Sequence, residues 1–205
     1  MTLDYESALV NVSLLWMLTV PHEFAHAWVA TKLGDDTPRR EGRVTLNPLA
    51  HVDWLGTVIL PALTSLSGRG FLGWGKPVNT NPARLKGGRN GLALVALAGP
   101  ASNLVFAFLL AVVTVLMVRI APEYAAFPGK AVYLSLYLAL FNMIPVPPLD
   151  GSKLLLAARI PVAIYLELAR FGFILILVGM TATPLGEWMS LTSLRGAQAL
   201  LGLFR

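Results

Sequence analysis

The sequence predicts an all-α polytopic membrane protein, on three observations. Mean hydropathy is +0.66, with 56% hydrophobic and only 13% charged residues, outside the range of soluble globular chains. Apolar runs of membrane-spanning length recur along the chain. The basic residues gather in the segments between those runs, as they do beside membrane helices. A length of 205 residues accommodates roughly four to six membrane helices with short loops. The expected organisation is a single membrane-embedded domain over 1–205. A three-helix core occupies about 8–151, with a candidate re-entrant or short β segment, and a further span and interfacial segment occupy about 162–205.

The charge of the chain narrows its partners. A net charge of +5 and a pI near 9.8 would suit nucleic acid, but the basic residues flank apolar runs without interleaved aromatics. Lipid bilayer is therefore the expected partner, and nucleic acid is not. The absence of cysteine excludes disulfides and thiolate ligands, so any metal must be held by His, Asp or Glu. No Lys or Arg precedes the first apolar run, which argues against a cleaved signal peptide and for a retained first span.

That first run, about 8–31, is long enough to cross a bilayer as one helix. Asp4 and Glu6 precede it, whereas Lys32, Arg39, Arg40 and Arg43 follow it. The positive-inside rule places its N-terminus outside and the Arg-bearing loop in the cytosol. Inside the run lies His22-Glu23-Phe24-Ala25-His26. Positions i and i+4 share a helix face, so the two imidazoles can meet one metal ion. Glu23 beside them can take a proton from water activated there, the HExxH arrangement of zinc peptidases. Ionisable groups at membrane depth are costly and mark function.

The stretch 34–53 is polar, with Thr37-Pro38 and Asn47-Pro48 as turn signals. Its Arg43-Val44-Thr45-Leu46 reads as a short strand. Trp54–Leu66 is apolar but short, and Pro61 interrupts it. If it crossed, the loop bearing Arg69, Lys76, Arg84, Lys86 and Arg89 would land outside, against the charge rule. A re-entrant or interfacial segment is the favoured reading. The Gly-, Pro- and Asn-rich stretch 73–82 cannot be regular helix and reads as an extended or turning segment.

A second span is expected over 91–120, with Ala98-Gly99-Pro100 for close packing and Asn103 in need of a hydrogen-bond partner. Asn103 reads chiefly as glue between helices, with a role at the site open. The loop 121–130 follows, and a third span starts near Ala131. It ends in Asn142-Met143-Ile144-Pro145-Val146-Pro147-Pro148-Leu149-Asp150-Gly151. The prolines stop the helix and are expected to fix Asp150 in an extended stretch, with Gly151 allowing a sharp turn. A turn is expected over 152–161 and a further span over 162–183. In that span Glu167 and Arg170 have the spacing of an intrahelical pair. The region 187–205 is weakly amphipathic, either interfacial or a partial span.

A catalytic zinc has three protein ligands and an open position. His22 and His26 leave one ligand to find among four candidates. His51 lies in a polar loop at no fixed depth, Glu41 sits among arginines, and Glu123 falls on the opposite side. Asp150, at the inward end of an apolar helix, shares the depth of the His pair and is the preferred ligand.

Together, His22-Glu23-Phe24-Ala25-His26 and Asn142-x-x-Pro145-x-Pro147-x-Leu149-Asp150-Gly151 resemble the site-2 protease family of intramembrane zinc metalloproteases. The likeness extends to Ala98-Gly99-Pro100 and to Lys76-Pro77-Val78, and fits the short bacterial and archaeal branch without a PDZ domain. One departure is that Asn79 stands where a second proline after Val78 would be expected. The resemblance implies a multi-pass protein of the prokaryotic cytoplasmic membrane with its active site toward the cytosol. It implies one Zn2+ per chain held by His22, His26 and Asp150, with Glu23 as catalytic carboxylate. Asn142 would position substrate or its oxyanion, and the substrates would be membrane proteins cut within or next to a transmembrane segment. Two alternatives stay open: a membrane zinc transporter, which has no use for Glu23, and a non-catalytic binder of membrane segments, which would be free to lose it. A zinc protease of the prenyl-peptide type would instead expect a glutamate as third ligand.

Overall fold

The computed structural model describes residues 5–66 and 73–204. Asp4 and Arg69, used above to orient the chain, lie outside the described residues, as does Arg205. Helix α1, Tyr5–Lys32, carries the HExxH motif near its C-terminal end. The single turn α2, Thr37–Arg40, follows. The apolar segment Trp54–Leu66 opens as a wide π turn, Trp54–Ile59, and tightens into α3, Leu60–Leu66. Pro61 stands in the first turn of α3, where a missing N–H costs little. Then come α4, Arg89–Ile120, α5, Ala126–Asn142, and the short α6, Asp150–Ala157. Helices α7, Val162–Ala182, and α8, Leu185–Gly202, complete the chain. Among the described residues there is no strand. Four helical stretches of the described residues are long and apolar enough to cross a membrane: Ala8–Lys32, Arg89–Ile120, Pro122–Asn142 and Val162–Ala182. The protein is an all-α polytopic membrane protein.

Helices α1, α4 and α5 form the core, as expected. Leu14, Leu15 and Leu18 of α1 pack against Ala131, Leu134 and Leu138 of α5. Ala30 meets Val95 and Leu92 of α4 near the other end. Small side chains, Ala107 and Ala111, let α4 approach Val132 of α5 and Ala197 of α8, the packing by which membrane helices gain contact without a hydrophobic driving force. Thus α8 is docked on the bundle through Met189, Ser193 and Ala197. A cavity of about 600 Å³ between α1, α4 and α5, lined by Val10, Leu14, Phe106 and Lys130 among others, lies away from the histidines.

Several local expectations give way to tertiary contacts. Arg43–Leu46 forms no strand, because side chains take the backbone groups around it. The Arg43 guanidinium donates to the carbonyls of Ala50 and Lys76, and the His51 Nε2–H donates to the Thr45 carbonyl at 2.8 Å. Helix α5 begins five residues before Ala131, and Pro122–Tyr124 forms a 3-10 turn in the preceding loop. Asp150 opens a helix instead of sitting in extended chain. Gly151 is accordingly no turn residue. A Cβ there would lie 2.2 Å from the Met143 carbonyl oxygen, so the glycine admits close packing of α6 on the end of α5. The expected turn at 152–161 is mostly helix α6, which ends at Ala157, and Arg159 just beyond it lies in the left-handed region, φ 68°. Glu167 and Arg170 are not paired. The ion pairs among the described residues all converge on Asp150, and the Arg170 guanidinium instead lies 5.5 Å from the centre of the Phe171 ring.

Both flanks of Trp54–Leu66 return to one end of the bundle. The Lys86 N–H donates to the Leu33 carbonyl at 2.7 Å, joining the exit of α1 to the entry of α4. Asp35 closes the same junction by accepting from the Thr37 N–H (3.0 Å), the Thr37 hydroxyl (2.6 Å) and the Asn81 N–H (2.5 Å). Burial alone would raise its pKa, but these bonds hold the carboxyl below its ordinary value.

Candidate metal centre

His22 and His26 lie one turn apart on α1, and α6 delivers Asp150 to the same point. The three converge. His22 Nε2 and His26 Nε2 are 3.1 Å apart, and each faces Asp150 Oδ2, at 3.1 and 2.9 Å. Their side chains are almost wholly buried, as is Glu23. Three donors around a tetrahedral zinc with bonds near ~2.0–2.1 Å would stand roughly 3.3 Å apart, so the set needs only a slight opening to hold one ion. Two imidazoles and one carboxylate are also donors that zinc accepts. The donor set fits a metal, and these three residues form a candidate metal site.

Helix α4 holds the two histidines from behind, and α6 itself holds Asp150. His26 Nδ1 lies 2.6 Å from the Val95 carbonyl of α4. A carbonyl can only accept, so the ring proton sits on Nδ1 and the Nε2 lone pair faces the centre. His22 Nδ1 faces the Asn103 amide at 3.3 Å. Lys153 donates to Asp150 Oδ1 at 2.8 Å, which leaves Oδ2 as the ligand oxygen. Helix α4 can come this close only because residue 99 has no side chain. A Cβ on Gly99 would sit 2.3 Å from His26 Nε2 and 2.6 Å from His22 Nε2.

Glu23 faces the extended segment 73–81. The Val78 N–H donates to Glu23 Oε2 at 3.0 Å, and no partner among the described residues engages Oε1. The segment is fastened along one edge. Trp74 N–H donates to Gly56 O and Lys76 N–H to His51 O, each at 2.9 Å. The Trp74 carbonyl accepts from the Thr57 hydroxyl, and the Lys76 carbonyl from Arg43. Alternate residues of extended chain point to opposite edges. Gly75, Pro77 and Asn79 therefore form the second edge, whose backbone groups take no partner among the described residues. A cleft of about 80 Å³ is lined by His22, Glu23, His26, Gly75, Asn142, Asp150 and Lys153 among others.

The other candidates separate clearly. Asn142 lines the cleft, but its amide donates back to the Leu138 carbonyl at 3.0 Å. His51 is buried in the clamp around Arg43 and joins no metal-donor group among the described residues. Glu41 takes a hydrogen bond from the Asn79 amide at 3.2 Å, and Glu123 lines the distant apolar cavity. Lys153 falls in the stretch 152–161 that the sequence reads as a turn. Its spacing of i+3 from Asp150 becomes informative only once α6 is known to start at Asp150. Gly99 signalled close packing in the sequence, but not what it packs against.

Comparison with known proteins agrees with this chemistry. The chain is 37% identical over 195 residues to "Putative zinc metalloprotease YwhC" of Bacillus subtilis, covering 89% of this chain and 85% of that protein. It is 32% identical to "Putative zinc metalloprotease Rip2" of Mycolicibacterium smegmatis, covering 91% of this chain and 72% of the relative. The Rip2 protein of Mycobacterium tuberculosis is 34% identical over 157 residues, 73% of this chain and 57% of that protein. No family model matches, and no solved structure matches. With HExxH and Asp150 brought together inside a bundle of apolar helices, and relatives of this identity over most of its length, the chain belongs to the site-2 protease family.

Proposed function

We propose that this protein is an intramembrane zinc endopeptidase that hydrolyses peptide bonds within or next to transmembrane segments of other membrane proteins, in regulated intramembrane proteolysis. The observation that carries the reading is the buried convergence of His22, His26 and Asp150 beside Glu23, on a helix long and apolar enough to span a membrane. One zinc per chain would be held by those three residues, and when bound would supply Lewis-acid polarisation of the scissile carbonyl and acidify a water. Glu23 is anchored through Oε2, so Oε1 is the oxygen that takes the proton from the attacking water and returns it to the leaving amine. Asn142 serves as a donor to the developing oxyanion once its amide turns from Leu138 into the cleft.

The cleft has room for a few waters and none for an intact helix some ~10 Å across. A substrate segment must therefore unwind, and its freed backbone groups need new partners. The open edge of Gly75, Pro77 and Asn79 offers them, by strand addition. The charge asymmetry of the loops supports placing the site toward the cytosol of a prokaryotic cytoplasmic membrane.

The test compares membrane proteomes of wild type and Glu23→Gln. The variant should keep its zinc and lose about 100- to 10,000-fold in cleavage, so that uncut membrane segments accumulate. A photo-crosslinker at position 79 in Glu23→Gln should capture them. Unchanged cleavage by Glu23→Gln would sink the protease reading, and loss of zinc flux in vesicles with no proteolysis by wild type would favour a transporter. Absence of crosslinks to a segment that does accumulate would remove strand addition alone.

A further inference from the structure

Asn103 is fully buried in α4 and aimed at a metal-ligand histidine, yet its side chain is only half used. Its Nδ2 lies 3.3 Å from His22 Nδ1, while its Oδ1 is buried without a partner among the described residues. An N–H2 group can only donate. In this arrangement His22 Nδ1 is therefore the acceptor and the ring proton sits on Nε2, facing Asp150 Oδ2 at 3.1 Å. That tautomer cannot ligate a metal through Nε2, because the lone pair is capped by the proton. His26 has no such conflict, since the Val95 carbonyl fixes its proton on Nδ1. The two histidines of one motif are thus held in opposite tautomers, and only one of them is ready for an ion.

We infer that Asn103 is the positioning residue that makes His22 a ligand, by turning its amide half a turn so that Oδ1 accepts a hydrogen bond from His22 Nδ1–H. The rotation replaces a donor by an acceptor at the same place. It uses the orphaned oxygen, whose burial without a bond is otherwise unfavourable, and carries the ring proton from Nε2 to Nδ1 with no change in net charge. His22 then gains the outer partner that metal-bound imidazoles have, fixing both tautomer and ring plane. The backbone is already in place, because the Asn103 carbonyl accepts from the Ser135 hydroxyl of α5 at 2.8 Å. That bond anchors the residue independently of its side chain. After the half-turn Nδ2 takes the buried position that Oδ1 now holds, on a residue that lines the cleft.

The inference deepens the metalloprotease reading and rests on it, so the experiment measures zinc binding by the full chain in detergent rather than cleavage. Zinc dissociation constants, from competition with a chelator, are compared for wild type, Asn103→Leu, Asn103→Ala and Asn103→Asp. The Leu and Ala variants, which remove the acceptor, should bind zinc about 10- to 100-fold more weakly. Asn103→Asp, which can accept from Nδ1–H but cannot donate, should bind within about threefold of wild type or more tightly. Ala leaves more room than Leu and serves as the removal variant where Leu disturbs the helix packing. Removal variants that bind as well as wild type would overturn the inference. So would an Asp variant as weak as Ala, since the amide would then act as a donor or as packing. A wild-type chain that binds no zinc would instead refute the metal site itself.

Discussion

His51 gives the site's support a pH dependence of its own. Its ring is buried, with Nε2–H donating to the Thr45 carbonyl and Nδ1 without a partner among the described residues. Burial pushes its pKa below the ordinary value of 6.5, the bond to Thr45 opposes that, and the adjacent Arg43 guanidinium reinforces it. The folded state thus binds this proton less readily than the unfolded chain. The stabilisation is complete above pH 6.5 and is lost as the pH falls below it, by about 1.4 kcal/mol per pH unit at most. The difference in thermal stability between wild type and His51→Gln should therefore shrink between pH 7.5 and 5.5. A difference that stays constant would show that His51 is not held neutral. Residue by residue, the sequence revealed what motif and depth encode. His22, Glu23 and His26 follow from helix periodicity, and Asp150 from the prolines that end α5. The partners of these residues were hidden, because Val95, Val78 and Lys153 act through a carbonyl, an N–H and a helix start that no residue type announces.

At the scale of elements, the approach of α4 to α1 decides whether a metal can sit between them. Gly99→Ala places a methyl carbon where His26 Nε2 and His22 Nε2 now meet, so the helices must part or the rings must turn. The expected outcome is a folded, inserted protein, destabilised by about 1–3 kcal/mol from overpacking, with zinc affinity reduced about 10- to 100-fold. A chelator titration reads this directly, and wild-type affinity would mean that α4 yields without disturbing the ligands. The spans were legible because apolar runs of this length have few other uses. The elements between them were not. The residues 43–46 have strand composition, yet the Thr45 carbonyl is taken by His51 and the Arg43 side chain reaches the carbonyls of Ala50 and Lys76. Glu167 and Arg170 have pairing distance along the helix, but spacing fixes only the backbone, and Arg170 turns to Phe171 instead.

For the whole molecule, the natural absence of cysteine makes the topology directly measurable. Single cysteines at Glu41, Lys86 and Glu123 sample the exit of α1, the entry of α4 and the turn between α4 and α5. Since Lys86 bonds to Leu33, positions 41 and 86 should react alike with an impermeant maleimide, shielded in right-side-out vesicles. Position 123 should react without permeabilisation. Different accessibility at 41 and 86 would mean that Trp54–Leu66 crosses the bilayer after all. A shared side for 86 and 123 would contradict α4 as a span.

The separation of the ligands along the chain also bears on biosynthesis. His22 and Asp150 are 128 residues apart, so a nascent chain presents the HExxH helix to the bilayer long before the third ligand has been made. Until α5 has entered and α6 has folded onto its end, only two imidazoles are available and Lys153 has no carboxylate to hold. On the proposed function a half-made copy is therefore inert, and the site is complete only once α6 has folded against α5. On that reading, neighbouring segments still emerging from the insertion machinery meet a protease whose site is not yet assembled.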